Sequence, residues 1–169
     1  MDIQLTISRL VEQIQLRVQN ACRDAEYQSF KLVLVVIPQD SHREIQEELL
    51  KSSVRTINLS KELSRKLVSQ SMKDRVKRLR MEVSDIAKEC NESVWMSNLD
   101  VLFEPSLEND PMILLKKVAK SQVLVAIWPG EITETSLVYS KPGKPDYQSY
   151  LLKELNEIQV IDACTGVMK

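Results

Sequence analysis

An α/β fold in three layers, with a mostly parallel central sheet and an N-terminal amphipathic helix, is what this sequence predicts. Three observations predict it. "KLVLVVI" (31–37) and "QVLVAIWPG" (122–130) hold continuous apolar runs, the pattern of strands buried on both faces. Segments with apolar residues at spacings of three and four alternate with such runs, the order of strand–helix–strand units. Only 3 Gly and 6 Pro occur in 169 residues, with no internal repeat, so one domain is expected: a helix over 1–28 and an α/β core over 30–163.

The elements follow in order. Ile7, Leu10, Val11, Ile14 and Val18 share one face of a helix over 5–22, a stripe that either covers the sheet or joins a neighbouring subunit. The first buried strand spans 31–37, and a helix over 41–52 turns Ile45, Leu49 and Leu50 inward. "VRTINL" (54–59) is a short strand. "SKELSRKLVSQ" opens a helix at Ser60 with Glu62, Leu63, Leu67 and Val68 in helical register. A long helix over about 73–90 carries Val76, Leu79, Val83 and Ile86. "SVWMSNLDVLF" (93–103) reads as a second buried strand that ends polar and resumes apolar. Asp110-Pro111 is a cap-then-Pro helix start. The third strand stops at Pro129-Gly130, "SLVYS" is an edge strand, and a turn leads to a short helix near 146–155 and a last strand, "IQVID".

Bulk properties exclude several function classes. The net charge of −1 gives no global attraction to nucleic acid. Cys22, Cys90 and Cys164 are far apart and lack zinc-type spacing, so no metal site is expected and the thiols read as reduced, in a cytoplasmic protein. No signal-peptide core and no membrane-length apolar run is found, so no membrane partner is expected.

The stretch "IPQDSHRE" (37–44) joins a strand to a helix, where α/β proteins often hold a phosphate. It can be laid on GxxxxGK(S/T) without a gap: Ile37 on the first Gly, His42 on the second, Arg43 on the Lys and Glu44 on the Ser/Thr. Every defining position is changed. A β-branched Ile costs at least the ~1–2 kcal/mol of left-handed geometry where the loop needs glycine. Arg43 keeps a charge without the compact geometry of Lys. Glu44 puts a carboxylate where a hydroxyl would bind magnesium, a cost of about 4 kcal/mol against one phosphate charge ~4 Å away at an effective dielectric of ~20. Two readings follow. In one, Pro38, Gln39, Asp40, Ser41, His42, Arg43 and Glu44 form a degenerate nucleotide loop. In the other, the loop caps itself: Ser41-x-x-Glu44 is a capping box, and Asp40 adds negative charge at the positive helix end.

The strings "KLVLVV", "INLSKELSRKL", "VWMSNLDVLFEPSLENDP", "VLVAIWPGEI" and "LVYSKPGKPDY", in that order over roughly residues 30–150, resemble the BrxF family of small P-loop-containing proteins of type 3 BREX phage-defence systems. "NLDVLFEPSL", the following "DP", and "WPGE" carry most of the likeness. The resemblance implies a P-loop-NTPase-like fold and ATP with magnesium as the family's ligands. It also implies a strand of the form Leu-Asp-Asn-hydrophobic-acid. On that register Ser97 stands where the Asp should be, Asn98 matches, and Asp100 falls on the later acid. Both halves of the site therefore depart from the family pattern. No cofactor is expected on that reading, and Asp100 is left as the one candidate base, a residue type equally at home as a cap or turn.

The function this implies is a non-catalytic assembly or regulatory subunit of a bacterial phage-defence complex. Its partners would be other defence proteins, a larger ATPase or copies of itself. One alternative is a nucleotide switch or weak ATPase, with Arg43 on phosphate and Glu44 or Asp100 on magnesium. Another is a DNA-contacting subunit. "KDRVKRLR" (73–80) has five basic residues in eight, with Lys73, Lys77 and Arg80 on one helical face. That face either contacts phosphates weakly and without sequence preference, or is a solvated face paired with nearby carboxylates. The single His42 reads as a solvent-exposed residue of the first helical turn, Trp128 as a packed aromatic before a turn, and Tyr139 and Tyr147 as lining for a partner surface.

Overall fold

The computed structural model describes residues 3–37, 42–52, 55–90 and 93–163. Helix α1 (Ile3–Ala25) leads into strand β1 (Leu32–Val36), helix α2 (His42–Lys51) and strand β2 (Thr56–Asn58). Helices α3 (Leu59–Leu67) and α4 (Met72–Lys88) follow, then strand β3 (Val94–Ser97), helix α5 (Pro111–Val118) and strand β4 (Leu124–Trp128). Strands β5 (Glu131–Ile132), β6 (Ser136–Tyr139), β7 (Gln148–Leu151) and β8 (Gln159–Asp162) complete the order. Short 3-10 turns cover Leu99–Phe103, Pro105–Leu107 and Leu152–Glu154.

The central sheet has five strands in the order β2-β3-β4-β1-β8, and every neighbouring pair is parallel. Because side chains alternate along a strand, β1 feeds two cores. Leu32, Leu34 and Val36 join a layer with Leu63, Leu79, Val83, Leu115 and Trp128. Val33, Val35 and Ile37 join Val11, Ile14, Val18, Ile45 and Leu49 on the opposite face. Helices α1 and α2 thus cover one face, and α3, α4 and α5 the other. The α1 stripe covers the sheet, which decides between the two destinations open to it. Among the described residues no helix is long and apolar enough to cross a membrane.

Several local expectations are corrected. Leu50 is 61% exposed, because the inward face of that short helix is already filled by Ile45 and Leu49. Helix α3 is capped by Asn58, whose side chain accepts from the Lys61 N–H, and not from Ser60, whose hydroxyl donates to the Asn98 carbonyl at 2.6 Å. The strand through Trp95 ends at Ser97. Asn98 then takes left-handed geometry (φ 55°, ψ 53°), a conformation Asn tolerates, and "LDVLF" winds into a 3-10 turn.

"SLVYS" is not an edge strand. Its residues form β6, the middle of a separate antiparallel sheet, β5-β6-β7. The helix expected near 146–155 is replaced by β7 and a 3-10 turn. Pairing with β6 and the packing of Tyr150 on Trp128 (5.9 Å, edge to face) override the local pattern. The Asp110 cap holds as read: Oδ1 accepts from Ile113 N–H at 2.9 Å.

Candidate functional site

In a parallel sheet flanked by helices, ligands gather at the carboxyl ends of the strands. Here β1, β4 and β3 are consecutive neighbours, so Ile37, Trp128 and Ser97 lie at one edge of the sheet. Pro38, Gln39, Asp40 and Ser41 lie outside the described residues, and the capping box that Ser41 would form lies there with them.

His42, the first residue of α2, is half-buried, which corrects the solvent-exposed reading. The Asp100 charge and the Ile37 backbone both favour its charged form. Burial lowers its pKa, and Asp100 and Ile37 only partly offset that. The next two residues turn away. The Arg43 side chain is 90% exposed and its Nε donates to Glu47 at 3.0 Å. Glu44 is exposed in the same turn.

Asp100 sits on the 3-10 turn after β3 and accepts a hydrogen bond from Tyr139 Oη at 3.2 Å. Tyr139 stacks on Phe103 with ring centroids 3.7 Å apart. Burial, and then the Asp100 charge, push its phenol up to about 12, so it stays a donor at neutral pH. Ser97 is buried, its hydroxyl within reach of the Ile57 carbonyl (3.3 Å) and Asn98 Oδ1 (3.0 Å). It acts as a polar joint between β2 and the turn that follows β3.

Beside Asp100 lies an open cleft of about 320 Å³, lined by Ser60, Ser64, Glu104, Tyr139 and Asp146 among others. Three carboxylates line it, and no lysine or arginine is among its described lining residues. Such a wall repels phosphate and suits a cationic or hydrogen-bond-donating group. Among the described residues no cluster of three or more His, Cys, Asp or Glu is arranged to hold a metal ion.

The structure therefore brings His42 and Asp100 together, and leaves Arg43 and Glu44 facing solvent. Lys73, Lys77 and Arg80 are exposed on α4 and do not line the cleft. Glu104, Asp146 and Ser60 were not legible as site residues, because nothing in local spacing links positions so far apart. Trp128 is fully buried, its indole N–H donating to the Val138 carbonyl at 3.0 Å, as a packed aromatic should. Comparison with protein-family models, with curated proteins and with solved structures gave no match.

Proposed function

We propose that this chain is a non-catalytic assembly or regulatory subunit of a BREX-type bacterial anti-phage complex, built on a degenerate P-loop ATPase scaffold. The strings quoted above support the family. The placement of β4 between β1 and β3 supports the scaffold, since the ends of β1 and β3 are where a phosphate loop and a magnesium-binding acid would have to cooperate.

One observation carries the non-catalytic reading. Arg43, which stands at the lysine position of the loop, points to solvent and is tied to Glu47, while the cleft beside the turn that follows β3 is walled by Asp100, Glu104 and Asp146. A triphosphate there would meet negative charge with no described lysine or arginine lining the cleft to balance it. Asp100 is itself engaged by Tyr139 and its charge acts on His42, so it serves the fold's own contacts. On this reading the protein acts through contacts with other defence proteins, a larger ATPase or further copies of itself.

The test is calorimetric titration of the purified protein with ATP and magnesium, repeated with ADP. No heat up to millimolar nucleotide is expected. Dissociation constants in the low micromolar range, about 8 kcal/mol of binding, would overturn the non-catalytic reading. Co-expression with the neighbouring defence proteins, followed by size-exclusion chromatography, is expected to give a shared peak. Separate elution from all of them would overturn the assembly role.

A further inference from the structure

We infer that one face of α4 is a docking stripe for the phosphate backbone of duplex DNA. The inference stands apart from the proposed function, and either can fail alone.

Charge pairing on the helix carries it. Between Met72 and Lys88, α4 has six basic residues against three acidic ones, Asp74, Glu82 and Asp85. Each acid is engaged. Asp74 accepts from the Ser71 hydroxyl at 2.6 Å. Glu82 is buried between Arg78 (3.1 Å) and Lys66 (3.8 Å). Asp85 lies 4.0 Å from Lys88. Arg75 is also committed, donating to the carbonyls of Leu67, Val68 and Gln70 at the end of α3. Lys73, Lys77 and Arg80 are left. All three are exposed, and none forms an ion pair with a described residue.

Their spacing puts them on one line. At 1.5 Å per residue they span about 10 Å, the axial length of roughly three phosphates on one strand at ~3.4 Å each. Beyond Arg80 the line runs into a groove of about 280 Å³ where Lys117 of α5 adds positive charge beside the Asp85–Lys88 pair. Glu82 and Asp85 are paired with cations of their own, and Asp74, held by a neutral hydroxyl in the first turn, is the one carboxylate whose charge remains near Lys73 and Lys77.

The chemistry selects the partner. A row of cations recognises phosphate and not base edges. The stripe carries no aromatic side chain on which unpaired bases could stack, so a duplex fits better than a single strand. It also lacks the broad apolar wedge of a helix that lies in a lipid surface.

The test is fluorescence anisotropy of a labelled random-sequence DNA duplex with the full chain, titrated at several salt concentrations. Three phosphate contacts give a log–log salt slope of about −2.7, a loss of roughly forty-fold between 50 and 200 mM salt. Combined K73Q, K77Q and R80Q should abolish binding. Combined K141Q, K144Q and K153Q removes the same charge from exposed lysines elsewhere and should leave it within about threefold. Each single substitution on α4 should reduce the slope by about one. Unchanged binding in the α4 triple variant, or equal loss in the control, overturns the stripe. Capture by phosphatidylserine vesicles but not by the duplex, or tighter binding to duplex RNA, overturns the DNA assignment.

Discussion

His42 is the single histidine, and its surroundings set a signed expectation. Burial disfavours the charged ring more than Asp100 and the Ile37 backbone favour it, so its native pKa lies below the ordinary ~6.5. In the window between the native value and ~6.5 the unfolded chain binds more protons. The stability from this group is therefore fully present above ~6.5 and lost as pH falls through the native pKa. The ring proton resonance, followed by NMR from pH 8 to 4, should titrate below 6.5. D100N should move the midpoint lower, because the carboxylate is the charge that raises it. A wild-type midpoint at or above 6.5 would sink the assignment. Gly130 is a second position where one atom decides. A Cβ there would lie 1.8 Å from the Val138 carbonyl oxygen, the acceptor of the Trp128 indole. Backbone cannot yield as a side-chain tip can. Gly130→Ala should cost at or above the ~3 kcal/mol upper end of ordinary overpacking in denaturant unfolding. A loss below ~1 kcal/mol would mean that β5 and β6 can shift apart.

At the scale of elements, the junction of α3 and α4 depends on one side chain. Arg75 Nε donates to Leu67 and Gln70 and its Nη2 to Val68, all near 3 Å, adding donors to carbonyls at and just beyond the end of α3, where intrahelical partners run out. Arg75→Met keeps much of the stem and removes the donors. It should cost about 2 kcal/mol, or about 4–8 °C in thermal midpoint for a chain of this size. Lys in its place should recover only part, since an ammonium lacks the planar fork. Full recovery by Lys would show that charge alone suffices. The same scale shows what the sequence discloses. The strands β1 and β4 were legible because a strand buried on both faces must be apolar throughout. The Asp110-Pro111 start was legible because a cap is a local hydrogen bond. The strand β7 was not, because Gln148, Ser149 and Tyr150 are held by pairing with β6 and by Trp128, partners distant in sequence. The cleft was half legible. Asp100 stood out as an acid after a strand, but its meeting with His42 and Tyr139 depends on the sheet order, which no local pattern encodes.

For the whole molecule, the question is whether α1 is part of the domain or an arm for a neighbour. Val11, Ile14, Val18, Ala21 and Ala25 are buried with Val33, Val35, Ile127 and Ile161 in a continuous layer. Polar ties reinforce it: Arg17 donates to the Asp162 carbonyl at 2.7 Å, and Gln15 to the Ser52 hydroxyl at 2.9 Å. An arm reserved for a partner would leave its stripe exposed and the sheet closed by something else. Here the sheet's second face has no cover except α1 and α2 among the described residues. Ile14→Ala should therefore cost ~2–5 kcal/mol, the price of a core cavity. Leu16→Ala, on the opposite side at 60% exposure, should stay within ~0.5 kcal/mol. The two differ by two positions in sequence and by just over half a turn of helix, so propensity changes little between them and burial separates them. Because the layer lies within one chain, the Ile14→Ala loss should not change over a hundredfold range of protein concentration. Equal effects at the two positions, or a loss that vanishes on dilution, would place the stripe at a subunit boundary instead.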